Sequence, residues 1–320
     1  MLHVHRSHRA DALADVLGDV FAAVPADPFT PEVVAVPTRG VERWLTQTLS
    51  LRLGARPGRS DGVVANVRFP SPREIVDDAV AAACGVDPAA DPWRGERVVW
   101  PLLEVVDDSL EEDWLALLAQ HLRDVAPEDD DPAARRPRLA AVRHIAALFD
   151  RYALHRPEMV RAWAAGSDVD GAGAPLRDDA VWQAWLWRAL RARIGTESAA
   201  ERLPGALARV REEPALLDLP ARLAAFGLTR LPGAHLELLR ALAEHRDVHL
   251  LVLHPSPVLW DRVAAAPAPA SRLRADDPAV ALPQNRLLAS WGRDVRELQL
   301  VLGENARQET GAERLEPAAD

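Results

Sequence analysis

The residues whose types and spacing could do chemistry are concentrated between Val33 and Ser50, in VVAVPTRGVERWLTQTLS. A β-branched apolar run stops at Pro37. A short polar turn, Thr38-Arg39-Gly40, follows it. The next stretch puts Val41, Trp44, Leu45, Thr48 and Leu49 on one helical face. Strand, tight turn and helix N-terminus in this order form the place where nucleotide-binding proteins cradle phosphate with backbone N–H groups. A working cradle needs glycines for close approach, a lysine to neutralise charge and a hydroxyl to hold Mg²⁺. Here there is one glycine and no lysine, and Pro37 removes an N–H donor. The second half of such a site is an acid at the end of a later strand, which holds the metal and polarises water. The best place for it, Phe226-Gly227-Leu228-Thr229, has no carboxylate. The shape of an NTPase site is present without its reactive groups.

The chain contains no lysine: all 38 basic residues are arginine. Schiff-base and lysine general-base chemistry are therefore excluded along with a phosphate-loop lysine. Net charge is −10, yet residues 39 to 73 hold seven arginines (39, 43, 52, 56, 59, 68 and 73) against Glu42 and Asp61, a local +5. Such a window meets phosphates, or else is a solvated arginine face. Arg39 and Arg43 stand one helical turn apart at a helix start, where a guanidinium reaches phosphate beside free backbone donors; the alternative is a surface pair bonded to acids such as Glu42. Arg68 and Arg73 flank the end of the next strand and the helix after it. Arg39, Arg43, Arg68 and Arg73 are the candidate phosphate-contacting residues, and Thr38 stands in the same turn.

Other clusters invite weaker readings. His3 and His5 alternate on one face of a short strand near His8, but no cysteine or carboxylate completes a metal set. The acidic run Glu128 to Asp131 is flanked by prolines and reads as a solvated loop. Trp182, Trp185 and Trp187 have faces on which bases stack. Trp182 and Trp185, at i and i+3, read as core, and Trp187 as an interface residue. Trp44 and Trp291 read as packing. Nuclease chemistry needs carboxylates on a rigid sheet, usually with a lysine, and nothing meets that description. No catalytic, cofactor-binding or metal residue is assigned.

The elements that must position these residues follow from hydrophobic period. The 320 residues are 48% apolar, enough for one large or two medium domains, and no apolar run is long enough to span a membrane. The first residues lack the apolar segment of a signal peptide, and Cys84 is the one cysteine, which fits a reducing cytoplasm. Strands are expected at 2–5, 32–36 and 62–69, each followed by a helix; Leu13, Val16, Leu17, Val20 and Phe21 mark the first helix, and Ser71-Pro72 opens the third. This alternation predicts a mostly parallel α/β sheet. After Gly85 the pattern becomes helical to about 215, with faces Leu110, Trp114, Leu117, Leu118, His121, Leu122 and Leu139, Val142, Ile145, Ala146, Phe149, and a helix over 178–194. Strands return at 221–231 and 248–255, with a helix over 232–245 between them. An Ala/Pro-rich loop over 256–283 leads to a last helix over 285–302. The expected domains are an α/β first part (1–84), a helical insertion (85–215), the second part of the α/β domain (216–303) and a polar tail (304–320).

The segments MLHVHRSHRADALADVL, DPFTPEVVAVPTRGVERWLTQTLS, ANVRFPSPREI, AALFDRYALHRPEMVRAW, FGLTRLPGAHLELLRALAEHRDVHLLVLHPSP and NRLLASWGRDVREL occur in the order found in the RecC family, the gamma subunits of exodeoxyribonuclease V. The resemblance covers nearly the whole chain and rests on no single short motif. Family members are considerably longer, and this chain resembles their N-terminal part, ending inside or just after the first helicase-like domain. The resemblance implies a RecA-like, superfamily-1 helicase-like fold with a degenerate ATPase site, interrupted by an all-helical insertion. It implies RecB-like and RecD-like partners in a heterotrimer that processes double-strand ends for recombinational repair, contact with single- and double-stranded DNA, and no membrane. ATP and Mg²⁺ belong to the complex and no cofactor to this chain. The family role includes splitting the duplex, channelling single strands and scanning the 3′-ended strand for a hotspot. In the family the loop after the second strand faces the single-strand channel, and Pro37, Thr38, Arg39 and Arg43 match it. Family members with known hotspot recognition tend to have uncharged amide and hydroxyl side chains there. Arginines preserve phosphate binding but not recognition of the same sequence. The expectation is a non-catalytic DNA-binding and scaffolding subunit. The rivals are a pure protein-interaction module and an active superfamily-1 helicase or NTPase.

Overall fold

The continuously apolar runs become the centre of a sheet. In the computed structural model, which describes residues 1–23, 27, 29–54, 62–125, 135–266 and 277–303, the strands are β1 (Leu2–Ser7), β2 (Glu32–Ala35), β3 (Val67–Arg68), β4 (Arg222–Leu228) and β5 (Asp247–Leu253). They pair in the order β1-β5-β4-β2-β3, every pair parallel. The fold is α/β, and the strands return to one sheet although nearly half the chain separates β3 from β4 in sequence.

Two units are distinct by packing: one made of Met1–Ala79 with the described residues from Arg209 onward, the other of Val80–Ala208. In the first, α1 (Ala10–Ala22), α2 (Arg39–Ser50) and α3 (Pro72–Cys84) follow the first three strands. Leu13 and Leu17 of α1 and Leu45 and Leu49 of α2 are fully buried against Val34, Val36, Ala224, Phe226 and Leu251. Burial of each leucine is worth about 2 kcal/mol. The alternate residues Val248, Leu250 and Val252 are also buried, so both faces of β5 are covered, as a parallel sheet requires.

At the N-terminal edge of the sheet, Arg222 at the start of β4 grips Glu32 at the start of β2. Its Nε lies 3.0 and 3.1 Å from the two carboxylate oxygens, Nη2 also bonds Oε1, and Nη1 donates to Val20 O at 2.7 Å. Two segments 190 residues apart are thus held in register.

Several local expectations need correction. The third strand is two residues rather than eight. Asn66 adopts φ 57, in the left-handed region, which breaks the extended backbone; its carbonyl accepts from Glu32 N at 2.9 Å and its amide donates to Phe29 O at 3.0 Å. Gly227, with φ 70, likewise shifts the register between Phe226 and Leu228. The loop over 256–283 contains a helix, α11 (Pro257–Ala265), because Ser256 caps it by accepting from Leu259 N at 3.2 Å; residues 267–276 lie outside the described residues. The last helix is two, α12 (Arg286–Trp291) and α13 (Arg293–Gly303), divided at Gly292. Trp291 is 84% exposed rather than packed, and Trp44 is exposed, its ring 6.0 Å from Phe226. The polar tail 304–320 and the acidic run 128–131 are also outside the described residues.

The second unit is helical, with α4 (Val99–Asp108), α5 (Ala116–Val125), α6 (Arg135–His155), α7 (Pro157–Ala164), α8 (Val181–Ile194) and α9 (Ala199–Glu212), the last continuing into the first unit. α10 (Gly233–Ala243) then joins β4 to β5. Val142, Ile145, Ala146 and Phe149 are buried as the period predicts. Leu117 and His121 are exposed, because the helix is preceded by a 3₁₀ turn over Asp113–Leu115 that buries Leu115 instead. On α8 the buried set is Ala184, Leu186, Trp187 and Leu190. Trp187 is thus core, stacked 5.9 Å from Trp93, and Trp185 is the exposed one, a reversal of the expected roles. Arg202 on α9 and Asp91 form a buried ion pair at 2.7 Å. Removing the carboxylate strands a buried cation, so Asp91→Ala is expected to cost about 3–5 kcal/mol in denaturant unfolding, and Arg202→Met less.

The β1–β5 register places His3 beside His249, ring centroids 4.6 Å apart, with His5 Nε2 3.1 Å from His249 Nδ1. Among the described residues no three His, Cys, Asp or Glu side chains are grouped to hold a metal ion. Burial first, then the neighbouring His3 and His5, push His249 down to about 4; burial, Arg6 and His8 push His254 down to about 4. Both rings protonate at higher pH when unfolded, so the unfolded chain takes up protons first. Stability is therefore expected to be full above pH 6.5 and to fall toward pH 4. Thermal melts across that range should show the decline, and His249→Asn should make it shallower.

Candidate nucleic-acid interface

Ligands of parallel α/β sheets gather at the carboxyl ends of strands where the connections leave in opposite directions. Here β4 runs through α10 to β5 on one side, and its neighbour β2 runs through α2 to β3 on the other. The loop Val36–Thr38 stands at the end of β2, beside that point.

Thr38 is the N-cap of α2: its extended backbone carries Oγ1 to within 3.3 Å of Val41 N, from which it accepts. Gly40 lies inside the first turn of α2, and a Cβ there would meet nothing closer than Thr38 Oγ1 at 3.6 Å. The turn is thus an ordinary capped helix start, with no left-handed glycine to close a cradle. Residues Thr229 and Arg230 follow β4, again without a carboxylate. The group set does not fit Mg²⁺-ATP: the lysine is missing, Pro37 has no N–H, and the metal-holding acid is absent from the end of β4.

What the loop does line is an open cleft of about 590 Å³ between the starts of α2 and α3. Pro37, Thr38, Arg39 and Arg43 contribute from one side, Phe69, Ser71 and Glu74 from the other, and Glu42 adds a second carboxylate. Arg39 and Arg43 are exposed, and neither has an ion-pair partner among the described residues. Glu42 does not bond them. Glu74 is occupied in a reciprocal cap: Ser71 Oγ accepts from Glu74 N at 3.1 Å, and Glu74 Oε2 accepts from Ser71 N at 3.3 Å. Sequence reasoning found Ser71 and passed over Glu74, although the Ser-x-x-Glu spacing marks it.

The remaining arginines of the +5 window separate by environment. Arg68, exposed at the end of β3, and Arg73, whose Nε meets Asp77 at 3.2 Å, do not line the cleft. Arg52 is tied to Asp15 at 2.5 Å and Asp19 at 3.0 Å on α1. Arg56 and Arg59 lie outside the described residues. Thr38, Arg39 and Arg43 are the candidates that the fold gathers, and they offer two free guanidiniums beside a helix N-terminus, the chemistry of phosphate contact. Among the described residues no helix is long and apolar enough to cross a membrane.

Comparison with known proteins agrees with the resemblance. The family model for the RecC N-terminal domain matches residues 2–319. RecBCD enzyme subunit RecC of Mycobacterium tuberculosis is 44% identical over 303 residues, which cover 94% of this chain and 26% of that protein. The same subunit of Mycolicibacterium smegmatis is 41% identical over 95% of this chain and 25% of its own length. That of Escherichia coli is 29% identical over 81% of this chain and 22% of its own. The chain thus spans about a quarter of the length of these relatives. With a match over nearly every residue and this level of identity, the chain belongs to the RecC N-terminal domain family.

Proposed function

We propose that this chain is a non-catalytic, DNA-guiding and scaffolding part of a RecBCD-type helicase–nuclease that processes double-strand ends for recombinational repair. The observation that carries the DNA contact is the pair Arg39 and Arg43, exposed at the cleft without a carboxylate partner among the described residues. The reading treats the α/β unit as a RecA-like motor domain whose ATPase chemistry has lapsed, and the helical unit as its insertion. The parallel sheet supports this, as does the unreactive turn at the position of a phosphate loop. ATP hydrolysis and strand cleavage then belong to RecB-like and RecD-like partners in the cytoplasm, where Mg²⁺ and ATP are used. Guanidiniums at the channel read charge rather than base edges, so this loop guides a strand without selecting the hotspot that relatives with uncharged side chains would read.

Single-stranded DNA binding by the purified chain at two salt concentrations tests the proposal. Binding is expected to weaken steeply with salt. Arg39→Ala/Arg43→Ala should flatten the logarithmic salt dependence by about 1.4, two phosphate contacts at about 0.7 each. Unchanged affinity and slope in the double variant would remove the strand from this cleft. Mg²⁺-ATP titrated by calorimetry is expected to give no saturable heat, and saturable binding would revive the motor reading.

A further inference from the structure

The second unit carries an exposed aromatic cleft that the DNA reading does not use. Trp114, Trp185, Arg188 and Ala189 line a shallow space of about 330 Å³. Trp185 is 43% exposed, and Trp114 lies 6.2 Å away at a tilt of 38°. The Trp185 ring is fixed in place. Its Nε1 donates to Asp168 Oδ2 at 3.1 Å, Arg188 donates to the other oxygen at 2.7 Å, and the guanidinium carbon sits 5.8 Å from the ring centroid. A ring already oriented this way binds without a further ordering cost. Leu117, just beyond Trp114, is 55% exposed and widens the apolar surface.

Charge decides what such a surface takes. Every arginine of α8 is engaged with carboxylate: Arg188 with Asp168, Arg191 with Glu201 at 3.2 Å, and Arg193 with Glu104 at 2.8 Å and with Asp108. The turn bearing Trp114 packs directly on α8. The three residues before Trp114 are Glu111, Glu112 and Asp113, all exposed and without ion-pair partners among the described residues. The free charge on these two elements is therefore negative. A nucleic-acid strand stacking a base on Trp185 would bring its phosphates against this run. A cation meets an indole face, with the acidic run Glu111–Asp113 immediately preceding Trp114 and the one cationic lining residue, Arg188, already paired with Asp168; arginine and tryptophan are frequent anchors of interfaces.

We propose that the Trp114–Trp185 cleft is a docking site for a cationic segment of a partner protein, an arginine or lysine side chain lying on the Trp185 face within reach of Glu111–Asp113. The site is independent of the cleft at Arg39 and Arg43, and it holds whether or not that cleft guides DNA.

The test uses the whole chain with two fluorescent probes, an oligoarginine peptide and an oligothymidine, followed by anisotropy. The peptide is expected to bind. Trp185→Ala should weaken it about three- to tenfold, the loss of one cation–π contact. Trp185→Phe should retain most of the affinity, and Glu111→Gln/Glu112→Gln/Asp113→Asn should weaken the peptide and reduce its salt dependence. Equal peptide affinity in the parent and Trp185→Ala proteins would overturn the proposal. So would oligothymidine binding that depends on Trp185, which would make the cleft a base platform. Circular dichroism melts establish that each variant is folded. If Trp185→Ala is not, the triple neutralisation decides, and unchanged peptide affinity there overturns the assignment.

Discussion

The pairing of β2 with β4 is the constraint on which the α/β unit depends. These strands are brought together across nearly two hundred residues, and their register aligns Val33 with Leu223, Val34 with Ala224 and Ala35 with Ala225. A slip by one residue would turn every side chain of β2 to the opposite face and expel Val34 from the cluster under α1 and α2. The partly buried Arg222–Glu32 fork fixes that register from the N-terminal edge, with geometry that only a guanidinium supplies. From this pairing follows the placement of the Thr38 loop beside the end of β4, and with it the cleft.

A chain whose cations are all arginine and whose acids outnumber them has carboxylates available for many of its guanidiniums. Arg52, Arg188, Arg191, Arg193, Arg202 and Arg222 are all held in this way. An arginine without such a partner is then informative, since no carboxylate among the described residues offsets its charge. Arg39 and Arg43 stand out because both lie on one cleft at a helix start without a carboxylate partner among the described residues. The same logic, with sign reversed, separates Glu111–Asp113 from the many carboxylates that are occupied. The two units thus present surfaces of different character: guanidiniums beside a helix start on the α/β unit, and indole with carboxylates on the helical one. A scaffolding subunit that contacts both strand and protein would need both kinds.

Much of the architecture was legible in the sequence because it rests on local pattern. The strand–turn–helix at Val33 to Ser50, the Ser71 cap and the apolar faces of α1 and α10 are written in residue order, as are the missing lysine and the missing acid near Thr229. The third strand was misjudged because residues 62–69 alternate as a strand should, whereas the left-handed Asn66 satisfies two backbone groups from its turn position instead. The tryptophans were misjudged because helical spacing names faces and does not say which face meets the core. Trp185 and Trp187 exchanged roles once Asp168 captured the indole of the first and Trp93 stacked on the second.

By itself the sequence determined the α/β class, the helical stretch between two sets of strands and the family, since each depends on composition, period or the order of segments. Only the tertiary structure decided strand order, which described arginines of the +5 window meet carboxylates, that Glu74 shares one cleft with Arg39 and Arg43, and which tryptophan is exposed. These depend on contacts between residues far apart in the chain, where partner and burial are set by packing rather than by neighbours in sequence.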